Sequence, residues 1–170
     1  VTVASLTINA AANYNYGTVN VGSSNDTALI VDNSGATTAT ALVFSGLSSP
    51  IIFKGGSFPG VGGDCTTSLA GGGSCTVVLT YAPVSAGATS KTLLVNYNNG
   101  ASATSTSQTV SGTAITLASI SVTSPAADPF DFGSATIGTP AVDQTFTLNN
   151  SGGQSATSLT ATGLVAPFSF

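Results

Sequence analysis

From residue 75 to residue 81 apolar and polar side chains take turns. Cys75, Val77, Leu79 and Tyr81 fall on one side, with Thr76, Val78 and Thr80 on the other. That is the period-two pattern of a strand with one buried face. Leu93, Val95 and Tyr97 repeat it. No segment sustains an apolar period near 3.6, and Gly, Thr, Ser and Asn dominate throughout, so no helix is expected. Short runs bounded by Gly, Asn and Pro predict strands near 2–9, 14–21, 27–32, 40–45, 50–54, 75–82, 90–98 and 104–112. Asn98-Asn99-Gly100 predicts a tight turn between the last two, because Asn and Gly tolerate positive φ. Short strands this closely spaced, without a helix, predict a two-sheet sandwich. Its core is expected to hold Tyr16, Val19, Leu29, Val31, Leu42, Phe44, Phe53, Val77, Leu79, Tyr81, Leu93 and Val95.

The pattern then starts again. Residues 1–8 read VTVASLTI and residues 115–122 read ITLASISV, an offset of 114. Tyr14-Asn15-Tyr16-Gly17 returns as Phe130-Asp131-Phe132-Gly133 at offset 116, and Asp32-Asn33-Ser34-Gly35 as Asn149-Asn150-Ser151-Gly152 at offset 117. The organisation expected is a complete repeat over 1–114 and the first half of a second over 115–170. Phe170 stands level with Phe53, so the second copy has no counterpart of 54–114 within the sequence. Its apolar positions Phe132, Ile137, Phe146, Leu148, Leu159 and Phe170 would then face water. Two readings follow: a window on a longer tandem array whose natural ends lie elsewhere, or a filament in which a neighbouring subunit supplies the remaining strands. The expected partners are accordingly further repeats of the same chain or neighbouring copies of it.

Certain of these residues carry a family pattern. An aromatic-x-aromatic-Gly strand (14–17) leads to Val21-Gly22 and then to Asn33-Ser34-Gly35. Cys65 follows, then Gly73-Ser74-Cys75-Thr76-Val77, a strand closing in Tyr81-Ala82-Pro83, Gly87, and Leu93-Leu94-Val95-Asn96-Tyr97. The chain resembles the bacterial choice-of-anchor D repeats, which are similar to the ASH and major-sperm-protein-like branch of immunoglobulin-like sandwiches. The resemblance covers all of the first repeat and half of the second. It implies an all-β chain of tandem immunoglobulin-like β-sandwich repeats, one complete and one partial, in a large secreted or surface-anchored protein without catalytic residues. Tyr81 stands where that family usually has Phe, and the loop at 54–64 is long and Gly-rich.

Composition narrows the chemistry. Charged residues make up 5% of the 170, against about 25% in ordinary soluble proteins. The only cations are Lys54 and Lys91, too few to displace counterions from nucleic acid or to hold an anionic membrane. Mean hydropathy is +0.41, yet no run of about 18 apolar residues is present to span a bilayer as a helix. Eight Phe, four Tyr and no Trp are few for the aromatic girdles of a membrane barrel. With no His, Ser-His-Asp and Cys-His catalysis are unavailable. No enzyme activity and no cofactor are expected.

Candidate sites are correspondingly modest. Cys65 and Cys75 enclose TTSLAGGGS with no His or further Cys, which favours a structural disulfide over zinc and points to an oxidising compartment. A redox-active pair is the minor reading, with no cation nearby to acidify a thiol. The six carboxylates, Asp26, Asp32, Asp64, Asp128, Asp131 and Asp143, form no calcium-loop run and are expected to be solvated loop acids. Lys54 and Lys91 are candidates for Lys–Asn cross-links or simple solvated lysines. The glycines at 55–63 and 71–73 are expected to be flexible loop tips, with Phe58 exposed among them for partner contact. The function expected is a structural or adhesive segment of a secreted, cell-surface bacterial protein, a stalk, fibre or adhesin. The alternative is an accessory module of a secreted enzyme that contacts a surface protein or polysaccharide ligand.

Overall fold

In the computed structural model, residues 2–8, 13–140 and 142–170 are described. The chain divides into two units, Val1–Ile115 and Thr116–Phe170. The first is a β-sandwich. Its strands are β1 (Leu6–Ile8), β2 (Asn13–Asn20), β3 (Asn25–Asn33), β4 (Ala39–Ser45), β5 (Ile51–Phe53), β6 (Ser68–Leu69), β7 (Ser74–Tyr81), β8 (Gly87–Asn98) and β9 (Ala103–Ile115), with a 3-10 turn at Lys54–Gly56. Each of the eight expected strands has its counterpart; position 9, the end of the first, lies outside the described residues. The two-residue β6 was not anticipated, because it is too short to show alternation.

One sheet has the order β1-β3-β7-β5 and the other β2-β9-β8-β4-β6. All neighbours are antiparallel except β2 and β9, which run parallel with a bulge between Asn15 and Thr18. Gly17 supplies that bulge with a φ of +71°, and its N–H donates to Asn15 Oδ1 at 2.8 Å. The long β8–β9 hairpin turns at the expected place. Gly100 has a φ of +92°, and the side chains of Asn98 and Asn99 accept the N–H groups of Gly100, Ala101 and Ser102.

The core between the sheets contains the expected set, with Phe44 and Phe53 only half-buried at its margin. Val78 corrects the expected alternation: it lies on the outward side of β7 and is nevertheless buried. The 54–64 loop returns alongside β7, where Val78 N–H donates to Pro59 O at 2.9 Å and Thr76 O accepts from Asp64 N–H. The innermost packing is tight enough to demand a glycine. A Cβ on Gly112 of β9 would stand 2.5 Å from Tyr81 Cε1 and 3.2 Å from Tyr16 Cβ.

The second unit contains β10 (Ile120–Ser124) and β11 (Thr147–Asn150), paired antiparallel. Its aromatic rings meet edge-on: Phe130 lies 5.0 Å from Phe132 and 5.7 Å from Phe146. The apolar positions named from the sequence are exposed, from 39% for Phe132 to 102% for Ile137.

Candidate interaction surface

Several polar side chains of the first unit hold its own backbone. Asn33, at the end of β3, is fully buried. Its Oδ1 accepts from Ser5 N–H and Gly35 N–H, each at 3.1 Å. Its Nδ2 donates to Thr37 O at 2.9 Å and to Leu69 O and Ala70 O at 3.1 Å. One amide therefore ties together the segment before β1, the turn after β3 and the end of β6. Sequence reasoning found Asn-Ser-Gly as a repeated motif but assigned it no role; its recurrence was the signal.

The second unit rebuilds this lock. Leu6 opposite Asn33 becomes Ile120 opposite Asn150, and Ile8 opposite Val31 becomes Val122 opposite Leu148. Asn150 Oδ1 accepts from Ser119 N–H and Gly152 N–H at 3.0 Å, and its Nδ2 donates to Gln154 O at 2.7 Å. Asp131 accepts from Gly133 N–H as Asn15 does from Gly17 N–H. The counterpart of β3 thus has one paired edge, toward β10, and among the described residues no strand on the other. Around it lie exposed Phe146, Leu148, Ile120 and Val122.

Cys65 and Cys75 are joined by a disulfide and both are buried. The bond pins the 54–64 loop to the start of β7, where Thr76 N–H also donates to Asp64 Oδ1 at 2.6 Å. Asp26 pairs with Lys54 at 2.8 Å and accepts from the Thr80 hydroxyl. These hydrogen bonds, Lys54 first, hold its carboxyl below the usual aspartate range. Asp64 and Asp131 are exposed loop acids as expected and also accept backbone N–H groups, whereas Asp26 lies in β3. Among the described residues no three Asp, Cys or His side chains converge. Lys91 stands on β8 opposite Val110, past the pairing with β4 that ends at Ser45 and Leu94.

Phe58 is the clearest correction at a candidate site. It is half-buried, stacked on Phe44 at 4.6 Å and edge-on to Phe53 at 5.7 Å, so it closes the core margin instead of reaching outward. Nor are the Gly-rich stretches simply flexible tips. A Cβ on Gly60 would meet Val78 O at 2.0 Å, and one on Gly71 would meet Ala36 O at 2.3 Å; these glycines admit close backbone approach. An open groove of about 460 Å³ lies along Ala41, Asn96, Asn98, Thr104 and Ser105, beside the bulge between Thr40 and Val43.

A model of the HYDIN/CFA65/VesB-like Ig-like domains matches residues 7–113. No curated protein matches the chain. Among solved structures, the VesB protease of Vibrio cholerae superposes with a TM-score of 0.51 at 13% identity, over 64% of this chain and 31% of that one. The ASH/PapD-like domain 7 of human CEP192 gives 0.47 at 20% identity, over 66% of this chain and 86% of that domain. At such identities the likeness shows the fold alone.

Proposed function

The chain belongs to the HYDIN/CFA65/VesB-like family of Ig-like domains, and from that membership we propose that it is a structural or adhesive segment of an exported bacterial cell-surface protein of the choice-of-anchor D type. The observation that carries this reading is the asparagine lock, of which Asn150 rebuilds three of the five bonds that Asn33 makes. A chain that repeats its framework while using Asn15, Asn33, Asn98, Asn99, Asp64 and Asp131 to bind its own backbone commits those groups to shape instead of substrate. On this reading it performs no catalysis. The buried disulfide supports an oxidising location outside the cytoplasm. No helix among the described residues is long and apolar enough to cross a membrane.

A second reading rests on the fold shared with part of the VesB protease: the chain would be an accessory module beside a secreted catalytic domain. The two separate experimentally. Antibody against the chain should label intact cells of the source organism, and the purified chain should neither bind a glycan array nor turn over peptide or glycoside substrates. Labelling only after permeabilisation would sink the surface reading. Saturable glycan binding would favour the accessory module.

A further inference from the structure

Asn99-Gly100, at the tip of the β8–β9 hairpin, is the one Asn-Gly pair in the sequence. Such a pair is prone to deamidation, because glycine puts no side chain between its backbone nitrogen and the preceding asparagine amide. Once deprotonated, the Gly100 nitrogen can attack Asn99 Cγ. A bond forms between that nitrogen and Cγ, the Cγ–Nδ2 bond breaks, and the side-chain nitrogen leaves as ammonia. Water then opens the cyclic imide. Opening at Cγ gives aspartate; opening at the backbone carbonyl gives isoaspartate, whose main chain is one methylene longer. The balance is amide plus water to acid plus ammonia.

The fold requires this glycine. Gly100 has a φ of +92°, which side chains other than hydrogen seldom allow, and a Cβ there would stand 2.6 Å from Thr37 Cγ2. The folded turn instead occupies both reacting groups. Gly100 N–H donates to Asn98 Oδ1 at 2.8 Å, so the nucleophile is held as a bonded N–H on the Asn98 amide and not on that of Asn99. Asn99 Oδ1 accepts from Ala101 N–H at 2.9 Å and from Ser102 N–H at 2.8 Å, which fixes the electrophile over the two residues beyond Gly100. The main chain is closed as well: Asn99 N–H donates to Ser102 O at 3.0 Å, and Asn99 O accepts from Ala4 N–H at 2.9 Å. Attack therefore requires the Asn99 amide to release two donors while the Gly100 nitrogen releases its acceptor.

We propose that Asn99 is a deamidation site guarded by Asn98: conversion proceeds in molecules whose β8–β9 turn has opened, and Asn98 is the positioning residue that keeps Gly100 N–H from the Asn99 amide. The consequence reaches past the turn. Isoaspartate takes the Asn99 carbonyl out of the main chain, and with it the acceptor that ties Ala4 to the hairpin tip. A stalk and an accessory module would carry this site alike.

The test uses the whole chain, incubated at mildly alkaline pH with and without guanidinium chloride. Mass spectrometry after chymotryptic digestion reads the amide-to-acid conversion at each asparagine. In guanidinium Asn99 should convert ahead of every other asparagine. Without denaturant it should convert at least about tenfold more slowly. Asn98 is exposed, so its replacement leaves no gap in the core. Asn98→Ala should raise the rate in the folded chain at least about fivefold, through loss of the bond to Gly100 N–H, and should leave the rate in guanidinium unchanged. Asn98→Asp keeps an acceptor for that N–H and should restore slow conversion. Amide exchange along β8 and β9 should be the same in all three chains. Equal rates with and without denaturant overturn the proposal, as does another asparagine converting first in guanidinium. An Asn98→Ala chain that converts as slowly as the unsubstituted one overturns the guard. So does exchange accelerated along both strands, which would mean that the hairpin opens as a whole.

Discussion

Replacing Asn33 by Ala removes one acceptor and two donor hydrogens from the place where β1, β3 and β6 meet. Of its five partners, Gly35 N–H and Leu69 O are buried and lose their bonds to the side chain, while Ser5 N–H, Thr37 O and Ala70 O are partly open and recover water. A stranded buried polar group costs about 1–3 kcal/mol, so the two together predict a loss of about 2–6 kcal/mol. Asn150 makes the corresponding bonds in solvent, and Asn150→Ala should cost under about 1 kcal/mol. Asn33→Asp should be at least as damaging as Ala, because a carboxylate would face the three carbonyls that now accept from Nδ2. Tyrosine fluorescence during urea unfolding isolates the effect, since Tyr14, Tyr16, Tyr81 and Tyr97 are all the tyrosines and all lie in the first unit. With an m-value of about 2 kcal/mol/M, the middle of the range for a domain of this size, a loss of about 4 kcal/mol should lower the Asn33→Ala midpoint by about 2 M with m unchanged. A midpoint unchanged from that of the unsubstituted chain would refute the reasoning: the bonds would be present but of no consequence.

Three further outcomes are expected. Gly112→Ala drives a Cβ into the Tyr81 ring and should destabilise the first unit by roughly 1–3 kcal/mol through overpacking; an unchanged melting temperature would show that the ring can yield. Reducing the Cys65–Cys75 bond, which closes a loop of sequence separation 10, should remove about 2–3 kcal/mol, read as a lower urea midpoint in reductant; identical midpoints count against a structural staple. Burial first, then the charges of Tyr14 and Asp26, raises the Tyr16 hydroxyl above its ordinary value of 10.0. A raised folded-state value means its contribution is complete below pH 10 and is lost as pH climbs beyond it, so Tyr16→Phe should flatten the alkaline fall in melting temperature, and an unaltered slope would assign that fall elsewhere.

What the sequence made legible is what short-range pattern encodes. Alternation located β7 and β8, Asn-Gly chemistry located the β8–β9 turn, and the offsets of 114 and 117 foretold that Ile120 would meet Asn150 as Leu6 meets Asn33. Contacts between distant segments were not legible. Val78 looks like an outward residue until the loop carrying Pro59 is brought beside it, and Phe58 looks like a free aromatic until Phe44 and Phe53 converge on it. Nothing adjacent to Gly112 announces the Tyr81 ring, and the parallel pairing of β2 with β9 joins segments nearly a hundred residues apart.

The two copies of the lock separate these kinds of information within one chain. At Asn150 the bonds to Ser119, Gly152 and Gln154 exist with no strand on the far edge of β11. The pairing of a β1-type with a β3-type strand therefore does not depend on a β7-type strand. Burial is a separate matter: Val31 and Leu148 hold the same register position, yet only Val31, in the core between the two sheets, is withdrawn from water.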